Sequence, residues 1–296
     1  PPVKFNAPEH LKGAKLRQYQ ANKLYDVMSD MVFPTSNPHQ TLFDALLDAR
    51  AVHGGGHKIV EDIQRKPASY NRVIMGSFIL GRKIAGLAPS QKFVGVLLPN
   101  AIGSLLTIFG LQAYGRVPAM LNFSTGAVNM SAACAAAQVK TIVTSRKFIE
   151  AAEMQGDIDI LGRACRIIYL EDIRSSVGIL DKLRGIAARF FTRAALRAAG
   201  AARDPDNPAI VLFTSGSEGV PKGVVLSHAN LNSNRLQAAA RIGFSAQDIV
   251  FNALPMFHSF GLTGGTLLPI LAGVYSFYYP SPLHYKIVPE LCYDTD

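Results

Sequence analysis

Short apolar runs recur along this chain with helical stretches between them, and that rhythm limits the fold more than any other feature. "KIVEDI" (58–63), "FVGVLLPN" (93–100), "TIVTS" (141–145), "RIIYLED" (166–172), "AIVLFTS" (209–215), "DIVFNAL" (248–254) and "GVYSFYY" (273–279) read as strands. Between them, "SYNRVIMGSFILGRKIAGL" (69–87), "AIGSLLTIFGLQAYG" (101–115), "SAACAAAQV" (131–139) and "LNSNRLQAAAR" (231–241) read as helices. Strands buried on both faces and separated by helices predict an α/β fold on a largely parallel sheet. Earlier, Thr41 and Asp44 approximate a capping box opening "TLFDALLDAR", with Leu42, Leu46 and Leu47 as its apolar stripe. The glycines at 54–56 end that helix.

At 296 residues and 49% hydrophobic content the chain can bury a large core. The net charge of +9 is compatible with nucleic acid, an anionic membrane face or phosphorylated substrates. Nucleic acid is the weakest of these, because aromatic–basic interleaving and zinc-finger spacings are both missing. Charged residues are only 17% and mean hydropathy is +0.17, which leans towards a large core or contact with an apolar partner. Even the most apolar stretch, 101–115, is too short to span a bilayer and carries glycines. Cys134, Cys165 and Cys292 lie far apart and support neither a metal knuckle nor a disulfide framework, which fits a reducing, cytoplasmic-side environment. Residues 1–40 read as a linker or the tail of an upstream domain, with one helical pattern in "KLRQYQANKLYDVMSDMVF". The chain is expected to be part of a longer protein.

"DKLRGIAARFFTRAALRAAG" (181–200) departs from the rhythm. As one helix it aligns Leu183, Ile186, Ala187, Phe190 and Ala194, with Lys182, Arg189, Arg193 and Arg197 beside them. Such a helix packs on its own domain or lies on an anionic membrane surface.

The chemistry concentrates in "TSGSEGVPKG" (214–223). A Walker-type loop needs glycine and a hydroxyl where Pro221 and Gly223 stand, so the strict motif fails although Gly216 and Lys222 are correctly spaced. A nucleophile elbow would use Ser217, with Asp248 and His258 or His284 downstream and "HGGG" (53–56) as an oxyanion loop. It fails where Ser215 replaces the first elbow glycine, and the HGGG glycines follow a helix rather than a strand. The remaining reading is a phosphate nest. Backbone N–H groups of Gly216, Ser217 and Gly219 and hydroxyls of Thr214, Ser215 and Ser217 would face the anion, with Lys222 as point charge. A strand before the loop and a helix after it are expected.

"TSGSEGVPKGVVLSH" resembles the phosphate-binding signature of the adenylate-forming superfamily of acyl-CoA synthetases, luciferases and adenylation domains. "LPMFHSFGLTGG" (254–265) resembles that superfamily's next core motif. With Glu218, "LLPNA" (97–101), "VPAMLN" (117–122) and "YPSPLHYKIVPELCYD" (279–294), the chain is similar to the acyl-[acyl-carrier-protein] synthetase part of the bifunctional 2-acylglycerophosphoethanolamine acyltransferases. The resemblance covers residues 41–296. It implies layered sheets flanked by helices, forming an incomplete large N-terminal domain of an adenylate-forming enzyme.

The implied activity is Mg2+- and ATP-dependent activation of a long-chain fatty acid to an acyl-adenylate. The acyl group then passes to the thiol of acyl carrier protein, or of CoA in the alternative acyl-CoA synthetase. By motif match, Thr214, Ser215, Gly216, Ser217, Glu218, Gly219 and Lys222 hold the ATP phosphates, and Lys222 and His258 are the catalytic pair. Phe257, Phe260, Gly261, Gly264 and Gly265 line the acyl pocket. Glu218 stands where relatives carry a hydroxyl, and is expected to point away from the phosphates or, like Thr214, to reach the metal. The resemblance further implies an upstream glycerolipid acyltransferase domain and a location on the cytoplasmic side of the inner membrane. Adenine, ribose and the C-terminal catalytic lysine would be served from beyond residue 296, so the chain alone is expected to be inactive.

Overall fold

The computed structural model describes residues 8, 10–35, 37–214, 221–245, 247–281, 283–284 and 286–294. Among the described residues, ten strands form two sheets. The larger has the order β6 (Arg166–Tyr169), β5 (Thr141–Thr144), β3 (Phe93–Val96), β4 (Val117–Met120), β7 (Pro208–Thr214) and β8 (Lys222–Ser227). All its neighbours are parallel except β7 and β8. The smaller runs β2 (Ala68–Ser69), β1 (Lys58–Asp62), β10 (Tyr275–Tyr278) and β9 (Ile249–Asn252), with only β2 antiparallel. The α/β expectation of layered sheets flanked by helices therefore holds.

The helices preceding β4 are α1 (Gly13–Thr35), α2 (Leu42–His53), α3 (Tyr70–Leu87) and α4 (Ile102–Ala113). Next come α5 (Gly126–Ala136), α6 (Arg146–Ala151), α7 (Gln155–Leu161), α8 (Leu170–Ser175), α9 (Ile179–Phe190) and α10 (Thr192–Ala199). The last are α11 (His228–Ala239), α12 (Ser259–Leu262), α13 (Leu268–Leu271) and α14 (Ile287–Asp294). None of the described helices is long and apolar enough to cross a membrane.

Burial explains the layering. Val94, Val96 and Met120 from the large sheet and Ile59 and Val60 from the small one join a single core with α2, α3 and α4. Ala119, Leu121 and Ile142 point to the other face of the large sheet, where Met130, Cys134, Ile158 and Leu161 of α5 and α7 cover them. Cys134 and Cys165 meet there within hydrogen-bonding reach, and no disulfide joins them. Thr41 caps α2 as expected, its Oγ1 accepting from the Asp44 N–H at 3.1 Å, and Gly54 ends the helix at φ 86°. Leu42, Leu46 and Leu47 are all buried.

Three strands fall outside the runs read from the sequence: β2, β4 and β8. Strand β4 carries Pro118, which would ordinarily argue against a central position. Its neighbours remove the conflict. The Val117 N–H reaches the Lys92 carbonyl on the β3 side, and pairing with β7 begins only at Ala119. Pro118 thus occupies a position where no ladder donor is needed.

The single helix expected over 181–200 is two. Phe191 leaves helical geometry at φ −111° and ψ 44°. Thr192 Oγ1 and Arg50 Nη1 both donate to the Arg189 carbonyl, at 3.0 Å each, beside the break.

Candidate functional site

The expected phosphate loop joins two antiparallel strands. Thr214 ends β7, Lys222 begins β8, and the two are direct cross-strand partners with exposed side chains. Both therefore stand at the mouth of the loop, a hydroxyl facing an ammonium. Ser215, Gly216, Ser217, Glu218 and Gly219 lie outside the described residues. The helix expected immediately after the loop is displaced. "KGVVLS" forms β8 first, and α11 starts only at His228, where Ser227 Oγ accepts from the Asn230 N–H at 3.1 Å. This is strand–loop–strand, whereas a nucleophile elbow requires strand–turn–helix. The other elbow partners are also engaged elsewhere. Asp248 accepts from the Ser245 N–H at 2.5 Å, and His284 Nδ1 pairs with the Tyr279 hydroxyl at 2.7 Å.

His258 comes from the other sheet. Parallel strands deliver their following loops to the carboxyl edge of the sheet, where binding sites form. The loop after β9 carries "ALPMFHS", which bends back onto the loops after β3 and β4. Asn100, following β3, holds it. Its Oδ1 accepts from the Met256 N–H at 3.0 Å, and its Nδ2 donates to the Leu254 carbonyl at 2.6 Å. Asn252 closes the same turn from inside, Oδ1 accepting from the Leu254 N–H at 3.1 Å. Both asparagines are buried. Phe257 then packs edge-on against Phe123, centroids 4.8 Å apart, just beyond the end of β4.

These contacts fix where His258 sits. Its ring lies 4.7 Å from that of Phe257 and is exposed. Its N–H donates to the Pro255 carbonyl at 3.0 Å, and its own carbonyl starts α12 by accepting from Leu262. Among the described residues no group hydrogen-bonds the imidazole, so both ring nitrogens remain available. Strand β7 is the next strand over from β4, in the register Met120↔Leu212. That register brings Thr214 level with Asn122, the residue before Phe123. Thr214, Lys222 and His258 thus share the carboxyl edge.

The residues expected to line an acyl pocket divide into different environments. Phe257 is buried against Phe123, and Phe260 is exposed. Gly261 is buried where a Cβ would overlap the Pro255 carbonyl, and a Cβ on Gly265 would strike the Asn252 side chain. Gly264 faces the Phe260 ring. Two of the three glycines therefore let the 259–265 turn close against 252–255. Asn100, Asn252 and Phe123 were not singled out from the sequence. The visible signal was a lone asparagine at the carboxyl end of each apolar run, in "LLPN" and "IVFN".

The two sheets thus converge their carboxyl edges on a hydroxyl–lysine hairpin and a clasped histidine turn. The profile of the AMP-binding enzyme family matches residues 81–294, well over half of the chain, and the chain belongs to that family. It is 26% identical over 223 residues to 4-coumarate-CoA ligase 1 of Narcissus pseudonarcissus, covering 73% of this chain and 38% of that protein. A 71-residue stretch is 41% identical to medium-chain fatty-acid–CoA ligase of Escherichia coli (strain K12), covering 24% of this chain and 12% of that one. Among solved structures, VinN in complex with 3-methylaspartate superposes with a TM-score of 0.66 at 20% identity, covering 85% of this chain and 64% of VinN. That likeness concerns the fold. The chain spans well under half of the length of the curated relatives it matches.

Proposed function

We propose that this chain supplies the phosphate-binding and histidine-bearing part of an ATP-dependent ligase that activates a carboxylic acid as its acyl-adenylate and passes it to a thiol. The observation that carries the reading is the placement of Thr214 and Lys222 opposite each other at the mouth of the loop. In such a ligase a carboxylate oxygen of the acid attacks the α-phosphorus of ATP, and pyrophosphate departs. The thiol sulfur then attacks the acyl carbonyl and AMP leaves with its oxygen. Lys222 would neutralise charge gathering on the departing pyrophosphate, and Thr214 would donate to a phosphate oxygen. Thr214 also offers the one described hydroxyl at the loop mouth able to reach an accompanying Mg2+, a hard cation that takes oxygen ligands. His258, held by Phe257 and the Asn100 clasp, has a free ring nitrogen to orient the reacting carboxylate.

CoA is the proposed acceptor, because the curated relatives named above are CoA ligases. A fatty acid is the proposed acid, on the strength of the fatty-acid–CoA ligase stretch. Acyl carrier protein, and with it a partnership with a glycerolipid acyltransferase domain, is the competing reading from the motif details around Glu218. Pyrophosphate–ATP exchange by the intact protein, dependent on a fatty acid, tests the activation step. Lys222→Ala should lower exchange by about 100-fold. Exchange undiminished by that change would refute the assignment. Acyl transfer to CoA compared with transfer to holo-carrier protein then decides the acceptor.

A further inference from the structure

Helix α9 is turned inside out relative to an ordinary surface helix. At about 100° per residue, Ile179, Leu183, Ile186 and Phe190 fall in a strip about 60° wide. An apolar strip of that kind normally faces the core. Here it faces outward, with Ile179 76% exposed, Leu183 56% and Phe190 64%. Leu180 and Phe191 extend the patch, Phe191 at 71% exposure.

The opposite face attaches the helix to the domain. Gly185 sits against Ile79 and Met75 of α3, where a Cβ would overlap the Ile79 side chain. Ala188 is buried on the same side. Asp181 pairs with Lys83 Nζ at 2.8 Å and accepts from the Gly178 N–H at 3.0 Å, pinning the amino end. The small and acidic side chains thus hold α9 to α3 and leave its large apolar ones unused.

Basic residues frame the patch. Lys182 and Arg189 border the strip on one flank, exposed Arg184 lies beyond Leu180 on the other, and exposed Arg193 and Arg197 follow on α10. The Arg189 guanidinium lies over the Phe190 ring at 4.5 Å, so the charge sits at the edge of the apolar surface. Asp181, the one acid in α9, is turned towards α3 and occupied by Lys83. A large exposed apolar patch marks a contact surface, and a cationic rim selects an anionic partner. Aliphatic and aromatic side chains projecting from one helix between cations match the depth profile of a bilayer interface. The apolar groups enter the acyl boundary while the cations meet the headgroups.

We propose that α9, with the start of α10, is the face by which this domain lies on an anionic phospholipid bilayer. The surface is distinct from the Thr214–Lys222 hairpin and does not depend on the ligase reading. Sedimentation of the full chain with phosphatidylcholine vesicles and with mixed phosphatidylcholine–phosphatidylglycerol vesicles tests it. Partitioning should be at least about tenfold stronger onto the anionic vesicles and should weaken with added salt. Leu183→Gln with Phe190→Gln, both at exposed positions, should abolish binding while circular dichroism is unchanged. Lys182→Gln with Arg184→Gln should remove the preference for anionic lipid. Lys222→Ala should bind vesicles like the parent, which separates this result from any failure of the ligase assignment. Equal binding to both vesicle types, or undiminished binding by the apolar double variant, would overturn the proposal. So would a solution dimer, without vesicle binding, that this variant dissociates.

Discussion

Asn100 ties the loop after β3 to the loop after β9, and so joins the carboxyl edges of the two sheets. Asn100→Ala would leave the Met256 N–H and the Leu254 carbonyl unpaired next to a buried side-chain position. Each such loss costs about 1–3 kcal/mol, so the denaturant midpoint should fall by an amount equivalent to about 3 kcal/mol. Acid-dependent pyrophosphate exchange should fall with it, because His258 hangs from the same turn. His228 makes a second residue-level case. It is buried, and its Nδ1 accepts from the Leu42 N–H at 3.1 Å, which requires the neutral ring. Burial lowers its pKa to about 4, offset in part by Asp44. Between that value and 6.5 the unfolded chain binds a proton that the folded chain refuses. Stability from this group is complete above pH 6.5 and declines as pH falls, by about 3 kcal/mol near pH 4. His228→Asn keeps an acceptor for Leu42 without titrating. Urea denaturation across pH 4–7 should show a shallower acid slope, and an unchanged slope would remove His228 as its source.

At the scale of elements, α3 and α4 cross where Gly81 meets Gly110. A Cβ on Gly81 would overlap the Gly110 carbonyl, while Gly86 on the same helix has open space around it. Gly81→Ala should therefore destabilise by about 3 kcal/mol through overpacking. Gly86→Ala should be neutral or stabilising by up to about 1 kcal/mol from helix propensity. Thermal melts of the pair would separate helix crossing from propensity, and similar outcomes would deny the close approach. The sequence made most elements legible for the same physical reason: β3, β5, β7 and β10 are largely buried on both faces and read as short, mostly apolar runs. It concealed β8 because an edge strand needs little apolar content, and Val224 and Val225 are partly solvent-exposed. It concealed the break at Phe191 because neither proline nor glycine marks it. The loop and histidine motifs were the parts of the candidate site that stood out in the sequence. Asn100 and Asn252 did not, since a lone asparagine at a strand end reads equally as a turn residue.

At the scale of the molecule, the strand order β6–β5–β3–β4–β7–β8 could not be read from the chain, because periodicity says nothing about which strands neighbour. That order matters for how the protein unfolds. Helices α2, α3 and α4 lie between the sheets and share one core with both, so neither sheet can be solvated on its inner face without exposing the other. The outer core under α5 and α7 is built on the back of the same large-sheet strands. Ile59→Ala, in the small sheet, and Ile142→Ala, in the outer core, should therefore act on one common transition. Both side chains are fully buried, and each truncation should cost about 2–5 kcal/mol. Calorimetry should show a single endotherm displaced to lower temperature by either change. Two resolved endotherms, with Ile59→Ala moving one and Ile142→Ala the other, would instead show that the sheets fold as separate units. In that event the Asn100 clasp and the Phe257–Phe123 contact would join two independent bodies and together position His258 relative to Lys222.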